Sequence, residues 1–149
     1  MKTVSAAMAG TALEFYDITL YGFFSSLLAP IFFPSSNPAT SLMASLGAFA
    51  AGFLMRPIGG AFFGYVGDRY GRKKTLLLAI LLVTLPTVII GLVPTYAEIG
   101  IFAPLTIILC RLIQGFSVGG EYGSAAVFIA EQVKKNKVGL AGSILFSTA

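Results

Sequence analysis

The chain has 149 residues, 56% of them hydrophobic and only 11% charged, with 10 Lys or Arg against 6 Asp or Glu and no histidine. A soluble domain carries about 25% charged residues, so this composition, with a mean hydropathy of +0.88, excludes an ordinary water-facing domain. Aromatic content of 13% and a single cysteine exclude disorder and a disulfide scaffold, which leaves an all-α membrane protein.

Without histidine, and with Cys110 alone, neither a zinc site nor a Cys-His nucleophile pair can be assembled. No metal, no cofactor and no enzymatic chemistry are therefore expected. The pI of about 9.4 does not point to nucleic acid, because the basic residues fall in short clusters between apolar runs and form no basic face interleaved with aromatics. Their placement reads as membrane topology.

Apolar stretches follow in chain order at Ala6–Phe33, Ser41–Val66, Thr75–Val93 and Pro104–Ala130. Each reaches the ~20 residues that a helix rising ~1.5 Å per residue needs to cross ~30 Å of hydrocarbon. The first is no cleavable signal peptide, since Glu14 and Asp17 interrupt what would be its apolar core. The cluster Pro34-Ser35-Ser36-Asn37-Pro38 predicts a turn between the first and second helices, and Pro94-Thr95-Tyr96 opens the connection from third to fourth. Pro104 suits the first turn of the fourth. A fifth stretch runs from Val138 to Ala149, too short to span and read as the start of a fifth helix.

If the helices alternate, Lys2, Arg69, Arg72, Lys73, Lys74, Lys134, Lys135 and Lys137 all lie on one side. The opposite connections, 34–40 and 94–103, hold no Lys or Arg and only Glu98. Cytoplasmic loops collect the positive charge, so a multi-pass chain with its N-terminus in the cytoplasm is expected.

Inside the spans lie Glu14, Asp17, Arg56, Arg111 and Glu121, each costing at least ~2.5 kcal/mol at mid-depth on insertion scales. Either they pair between helices and fix the packing, or they line a polar path for a solute or proton. The second reading is favoured because Glu14, Asp17 and Tyr21, at i, i+3 and i+7, share one helical face. Arg111 stays charged at any accessible pH and must find an anion: Asp17, Glu14 or a carboxylate on the solute. Burial favours the neutral form of a carboxyl and a nearby arginine favours the ionised form, so moving an arginine toggles a proton. Three acids against two arginines leave one acid free for that role. Gly60-x-x-x-Gly64 in the second helix, and Gly115, Gly119 and Gly123 in the fourth, predict close helix contact.

The loop after the second helix, Gly64-Tyr65-Val66-Gly67-Asp68-Arg69-Tyr70-Gly71-Arg72-Lys73-Lys74, resembles the signature between helices 2 and 3 of the major facilitator superfamily. Gly67 and Gly71 would let the backbone turn tightly there, and Asp68 would cap a helix or receive arginine donors. Three further segments resemble the metabolite:proton symporters of that superfamily, the group containing proline/betaine, α-ketoglutarate and shikimate permeases. They are Gly10-Thr11-Ala12-Leu13-Glu14-Phe15-Tyr16-Asp17, Arg56-Pro57-Ile58-Gly59-Gly60, and the run Arg111-Leu112-Ile113-Gln114-Gly115 continuing to Gly119-Gly120-Glu121-Tyr122-Gly123. Phe15 departs from the tryptophan frequent in that group and keeps the aromatic character.

The resemblance implies twelve helices in two halves, each made of two inverted three-helix repeats around a midplane site. This chain would then be the N-terminal part of such a bundle, four complete transmembrane helices plus the start of a fifth. It implies proton-coupled symport of a small organic solute across a bacterial inner membrane, driven by the proton gradient without a cofactor. The first and fourth helices would line the cavity. Glu14 and Asp17 would be the proton-facing carboxylates, Arg111 the coupling or anion-binding residue, and Tyr21, Arg56, Gln114 and Glu121 members of the same polar network. Gly64, Gly67, Asp68, Arg69, Gly71, Arg72 and Lys73 would form a cytoplasmic gating motif, closing on a helix of the second half. The expected partners are a small-molecule solute, the bilayer and the remaining helices if another chain supplies them, with no nucleic acid. The alternative is an accessory or nonfunctional membrane fragment with no transport of its own.

Overall fold

Long apolar runs broken by few turn formers give long helices. The computed structural model describes the backbone of residues 2–132, 139 and 143, and the side chains of residues 12, 15–120, 139 and 143. Its elements are α1 (Lys2–Phe32), α2 (Pro38–Tyr70), α3 (Arg72–Leu92), the single turn α4 (Tyr96–Ile99) and α5 (Phe102–Gln132). Four of these helices, all but α4, are long and apolar enough to cross a membrane. The predicted start of a further helix at 138–149 lies outside the described residues, apart from 139 and 143, as do Lys134, Lys135 and Lys137.

Each of the four long helices starts before the bound suggested by apolar content, and α2 and α5 also end beyond it. At ~1.5 Å per residue, the 33 residues of α2 extend about 50 Å, well beyond ~30 Å of hydrocarbon. Charged residues at helix ends are compatible with helix, because their long stems reach the interface while the backbone stays hydrogen-bonded. Asn37 caps α2 through its side chain, which accepts from the Ala39 amide at 2.9 Å, with Pro38 as the first helical residue.

The segment between the second and third spans, read from the sequence as a loop, is helical on both sides of one residue. α2 continues through Gly67, Asp68, Arg69 and Tyr70, and α3 begins at Arg72. Gly71 alone makes the corner, at φ +99°, a conformation that only glycine adopts without strain. Gly67 is therefore not a turn residue: it lies buried in α2, and the Arg72 side chain folds across its bare surface. At the opposite end, Thr95 and Glu98 form a reciprocal capping box that starts α4, an ordered turn where the sequence suggested only a connection.

α5 is the centre of the bundle. Half of its apolar window is buried, against 22% in each of the other three spans. It packs most extensively on α2, next on α3, and more sparingly on α1. At one end of the bundle Phe32, Ala103 and Ile107 form a buried cluster joining α1 to the start of α5. Outward faces carry Phe23, Met43, Leu54 and Leu92, all more than 70% exposed, as suits side chains that meet lipid rather than water.

The α2–α5 seam is made by glycines. A methyl group on Gly115 would overlap the Gly52 carbonyl, one on Gly119 the Arg56 carbonyl, and one on Gly59 the Phe116 carbonyl. The backbones touch directly there, which gives dispersion contact along the whole seam. The sequence pattern picked Gly60, Gly115 and Gly119 correctly, a methyl on Gly60 coming within 3.3 Å of the Gly119 carbonyl. Gly64 has nothing within 4 Å, and the pattern missed Gly52 and Gly59, which share the face of Gly60 and make the closest contacts. Gly123 lies outside the residues whose side chains are described.

Candidate functional site

Arg111 sits in α5 about 14 Å along the axis from Phe102, near the middle of its span. Its side chain is 7% exposed, so its charge cannot be left to water. Asp17, on α1, answers it: Arg111 Nη1 donates to Asp17 Oδ2 at 2.6 Å. The same Nη1 donates its other hydrogen to Gln114 Oε1 at 2.9 Å. Gln114 in turn donates from Nε2 to Thr87 Oγ1 on α3 at 2.7 Å, and the Thr87 hydroxyl donates to the Val83 carbonyl at 2.9 Å. Every donor and acceptor in this chain of bonds has one assignment, so the amide of Gln114 has a single orientation.

A ring fixes the plane of the guanidinium. The Arg111 Cζ lies 4.1 Å from the centroid of Tyr21, within the range of a cation–π contact. Tyr21 is itself held on both sides: its hydroxyl donates to the Ser45 carbonyl at 3.2 Å, and its ring stacks on Phe49 with centroids 5.4 Å apart. Arg56 on α2 repeats the motif, its Cζ 4.2 Å from the Phe53 ring.

Asp17, Phe49, Phe53, Arg56, Arg111 and Gln114 border one cavity of about 40 Å³. α1 contributes Asp17 and α5 contributes Arg111 and Gln114, as the sequence led us to expect of the first and fourth spans. α2 contributes as much again through Phe49, Gly52, Phe53 and Arg56. Phe49, Phe53 and Thr87 were missed in the sequence because nothing distinguishes them there from other apolar or lipid-facing positions. Gly52 carried a usable signal, since Gly52, Arg56, Gly59 and Gly60 recur at the three- and four-residue steps of one helical face. The side chains of Glu14 and Glu121 lie outside those described.

The Gly71 corner forms a second polar group. Arg72 Nη2 pairs with Asp68 Oδ1 at 2.5 Å across the corner, and Arg69 donates to the Tyr65 hydroxyl at 2.7 Å. Asp68 is 70% exposed, so this pair is screened and worth about 0.5 kcal/mol. Lys73 and Lys74 follow in the first turn of α3, and no metal-binding cluster of three or more His, Cys, Asp or Glu occurs among the described residues.

Four membrane-length helices packed around a buried ion pair define a polytopic membrane protein with a polar interior. The chain belongs to the sugar (and other) transporter family of the major facilitator superfamily, which matches it over residues 2–148. It is 46% identical to the proline/betaine transporter of Salmonella typhimurium, over 97% of this chain and 29% of that protein. It is 43% identical to the alpha-ketoglutarate permease of Escherichia coli, over 97% of this chain and 34% of that one. With the shikimate transporter of Escherichia coli the identity is 41%, over 91% and 31%. The chain thus spans about three-tenths of the length of these curated relatives. No solved structure matches it.

Proposed function

We propose that this chain is the N-terminal part of a proton-coupled symporter for a small organic solute, resident in a bacterial inner membrane with its N-terminus in the cytoplasm. The observation that carries the reading is the Asp17–Arg111 pair, an ion pair between two helices at the edge of a cavity that Arg56 and Gln114 also line. A carboxylate paired to an arginine stays ionised, and one parted from it in a dry interior takes a proton. A change in the spacing of α1 and α5 therefore converts into proton uptake or release. Tyr21 and Gln114 hold Arg111 in place, Arg56 lines the same cavity, and Glu14 and Glu121 complete the intramembrane set. The proton gradient is the driving force and no cofactor takes part. Proline, betaine, α-ketoglutarate and shikimate, the solutes in the relatives' names, all carry a carboxylate, and we take a carboxylate-bearing solute as the substrate class. The Gly71 corner, with Asp68, Arg69, Arg72 and Lys73, serves as the cytoplasmic latch against helices beyond this segment.

The test is Asp17→Asn in a full-length chain carrying this segment. Uphill accumulation of labelled solute in proteoliposomes should fall at least about tenfold while solute exchange persists, because an amide still accepts from Arg111 but carries no proton. Normal accumulation by the variant would remove Asp17 from the proton path. Orientation is tested separately: in a chain whose Cys110 is replaced, single cysteines at Ser36 or Thr95 should react with an impermeant maleimide in intact cells, whereas one at Lys73 should react only after permeabilisation. The opposite pattern would invert the topology.

A further inference from the structure

The Gly71 corner leaves two cations without a carboxylate. Arg69, Arg72, Lys73 and Lys74 stand there against the single acid Asp68. Asp68 is taken by Arg72, whose side chain folds across the buried Gly67. Of the other acids with described side chains, Asp17 pairs with Arg111, and Glu98 caps α4 at the far end of the bundle. Lys73 and Lys74 are exposed, and no acid among the described residues pairs with either. With Tyr70 and Gly71 they border an open cavity of about 520 Å³.

Lys74 also heads an apolar stripe. Leu77, Leu81, Leu85, Val88 and Leu92 follow it at the three- and four-residue steps of one helical face, each more than half exposed. The buried side of α3, with Thr75, Leu76, Ala79 and Pro86, lies on the other face. From position 74 to position 92 the stripe runs about 27 Å, close to the ~30 Å of hydrocarbon. Lys74 therefore stands at the hydrocarbon edge, at the depth of phospholipid headgroups, with its stem free to reach outward. Tyr65 and Tyr70, exposed near the same end of α2, suit that interface.

We propose that Lys73 and Lys74, with the Gly71 corner beside them, form a binding site for an anionic phospholipid of the adjoining leaflet. The two ammonium groups donate to its phosphate, and an acyl chain lies along the stripe below Lys74. Charge decides among lipids. A zwitterionic headgroup brings its own ammonium to a corner that already holds four cations against one acid, whereas phosphatidylglycerol brings negative charge alone. The acyl chains keep that phosphate at the depth of the lysines and so at a high effective concentration, which a water-borne phosphate ester does not share. The site uses the outward side of the corner, while the Asp68–Arg72 pair occupies the other. It depends neither on proton coupling nor on the identity of the solute.

The test titrates the purified full-length chain, in a nonionic detergent, with phosphatidylglycerol or with phosphatidylcholine of the same acyl chains. The readout is the thermal midpoint, which rises when a ligand binds the folded state. Phosphatidylglycerol should raise it at concentrations where phosphatidylcholine does not, and glycerol 3-phosphate at the same phosphate concentration should leave it unmoved. Attraction to an anionic lipid is worth about fivefold in affinity per lysine, so Lys73→Gln/Lys74→Gln should raise the half-maximal phosphatidylglycerol concentration roughly twentyfold. Both side chains are exposed, so that variant should keep the parent's midpoint in phosphatidylcholine. Lys134→Gln/Lys135→Gln, which removes the same charge after α5, should leave the half-maximal concentration unchanged. Equal shifts with the two lipids, or an equal shift with glycerol 3-phosphate, overturn the proposal on the parent protein alone, whatever the variants do. An unchanged half-maximal concentration in Lys73→Gln/Lys74→Gln, or the same loss in Lys134→Gln/Lys135→Gln, overturns it as well.

Discussion

α5 is held on its two sides by unlike contacts. Against α2 its backbone meets backbone, through Gly52, Gly59, Gly115 and Gly119. Against α1 it is joined by side chains: an ion pair and a ring under a guanidinium, beside a cavity. The first contact has a single solution, because two helices that touch at the main chain can neither approach further nor slide without collision. The second can be broken and remade, because rotamers turn. The difference teaches where motion belongs: α2 and α5 form a fixed pair, and α1 is held to α5 by side-chain contacts that a rotamer change can part.

The largest effect should come from breaking the fixed pair. Gly115→Leu places a branched side chain into the Gly52 carbonyl, and overpacking of that kind costs about 3 kcal/mol or more. The full-length variant should lose most of its folded, monodisperse yield after extraction, and a parent-like thermal midpoint would show the seam is not rigid. On the α1 side, Tyr21→Ala removes the ring under Arg111 and should cost about 2 kcal/mol. Tyr21→Phe, which loses only the bond to Ser45, should cost about 1 kcal/mol. If Phe does not recover most of the midpoint, the hydroxyl rather than the ring anchors α1. The smallest effect sharpens the seam's edge: Gly64→Ala meets open space and should change stability by less than about 0.5 kcal/mol. A large loss there would place the contact where the simple four-residue glycine pattern had put it.

Much of the site was legible because membrane burial makes charge conspicuous. Asp17, Arg56 and Arg111 stand out in apolar runs at a cost that demands partners, and their presence around one cavity follows from that need. Phe49, Phe53, Ser45 and Thr87 were not legible, since rings and hydroxyls are unremarkable in such helices and only their neighbours reveal their use. The signature around Gly71 was recognisable as a motif, yet its conformation was misjudged, because charge and glycine suggest a loop while the Asp68–Arg72 pair and the helix ends favour continued helix.

Composition and periodicity by themselves determined the number of membrane-length helices among the described residues and their approximate limits, and marked Asp17, Arg56 and Arg111 as charges within them, since hydrocarbon admits only satisfied backbone and penalises every ion. Only the tertiary structure decided which acid meets Arg111, which glycines touch, and which rings lie against the arginines. Those depend on the rotation of each helix about its own axis, and a sequence constrains that rotation only to a face about a third of a turn wide, whereas hydrogen bonds and backbone contacts are made or lost within fractions of an ångström.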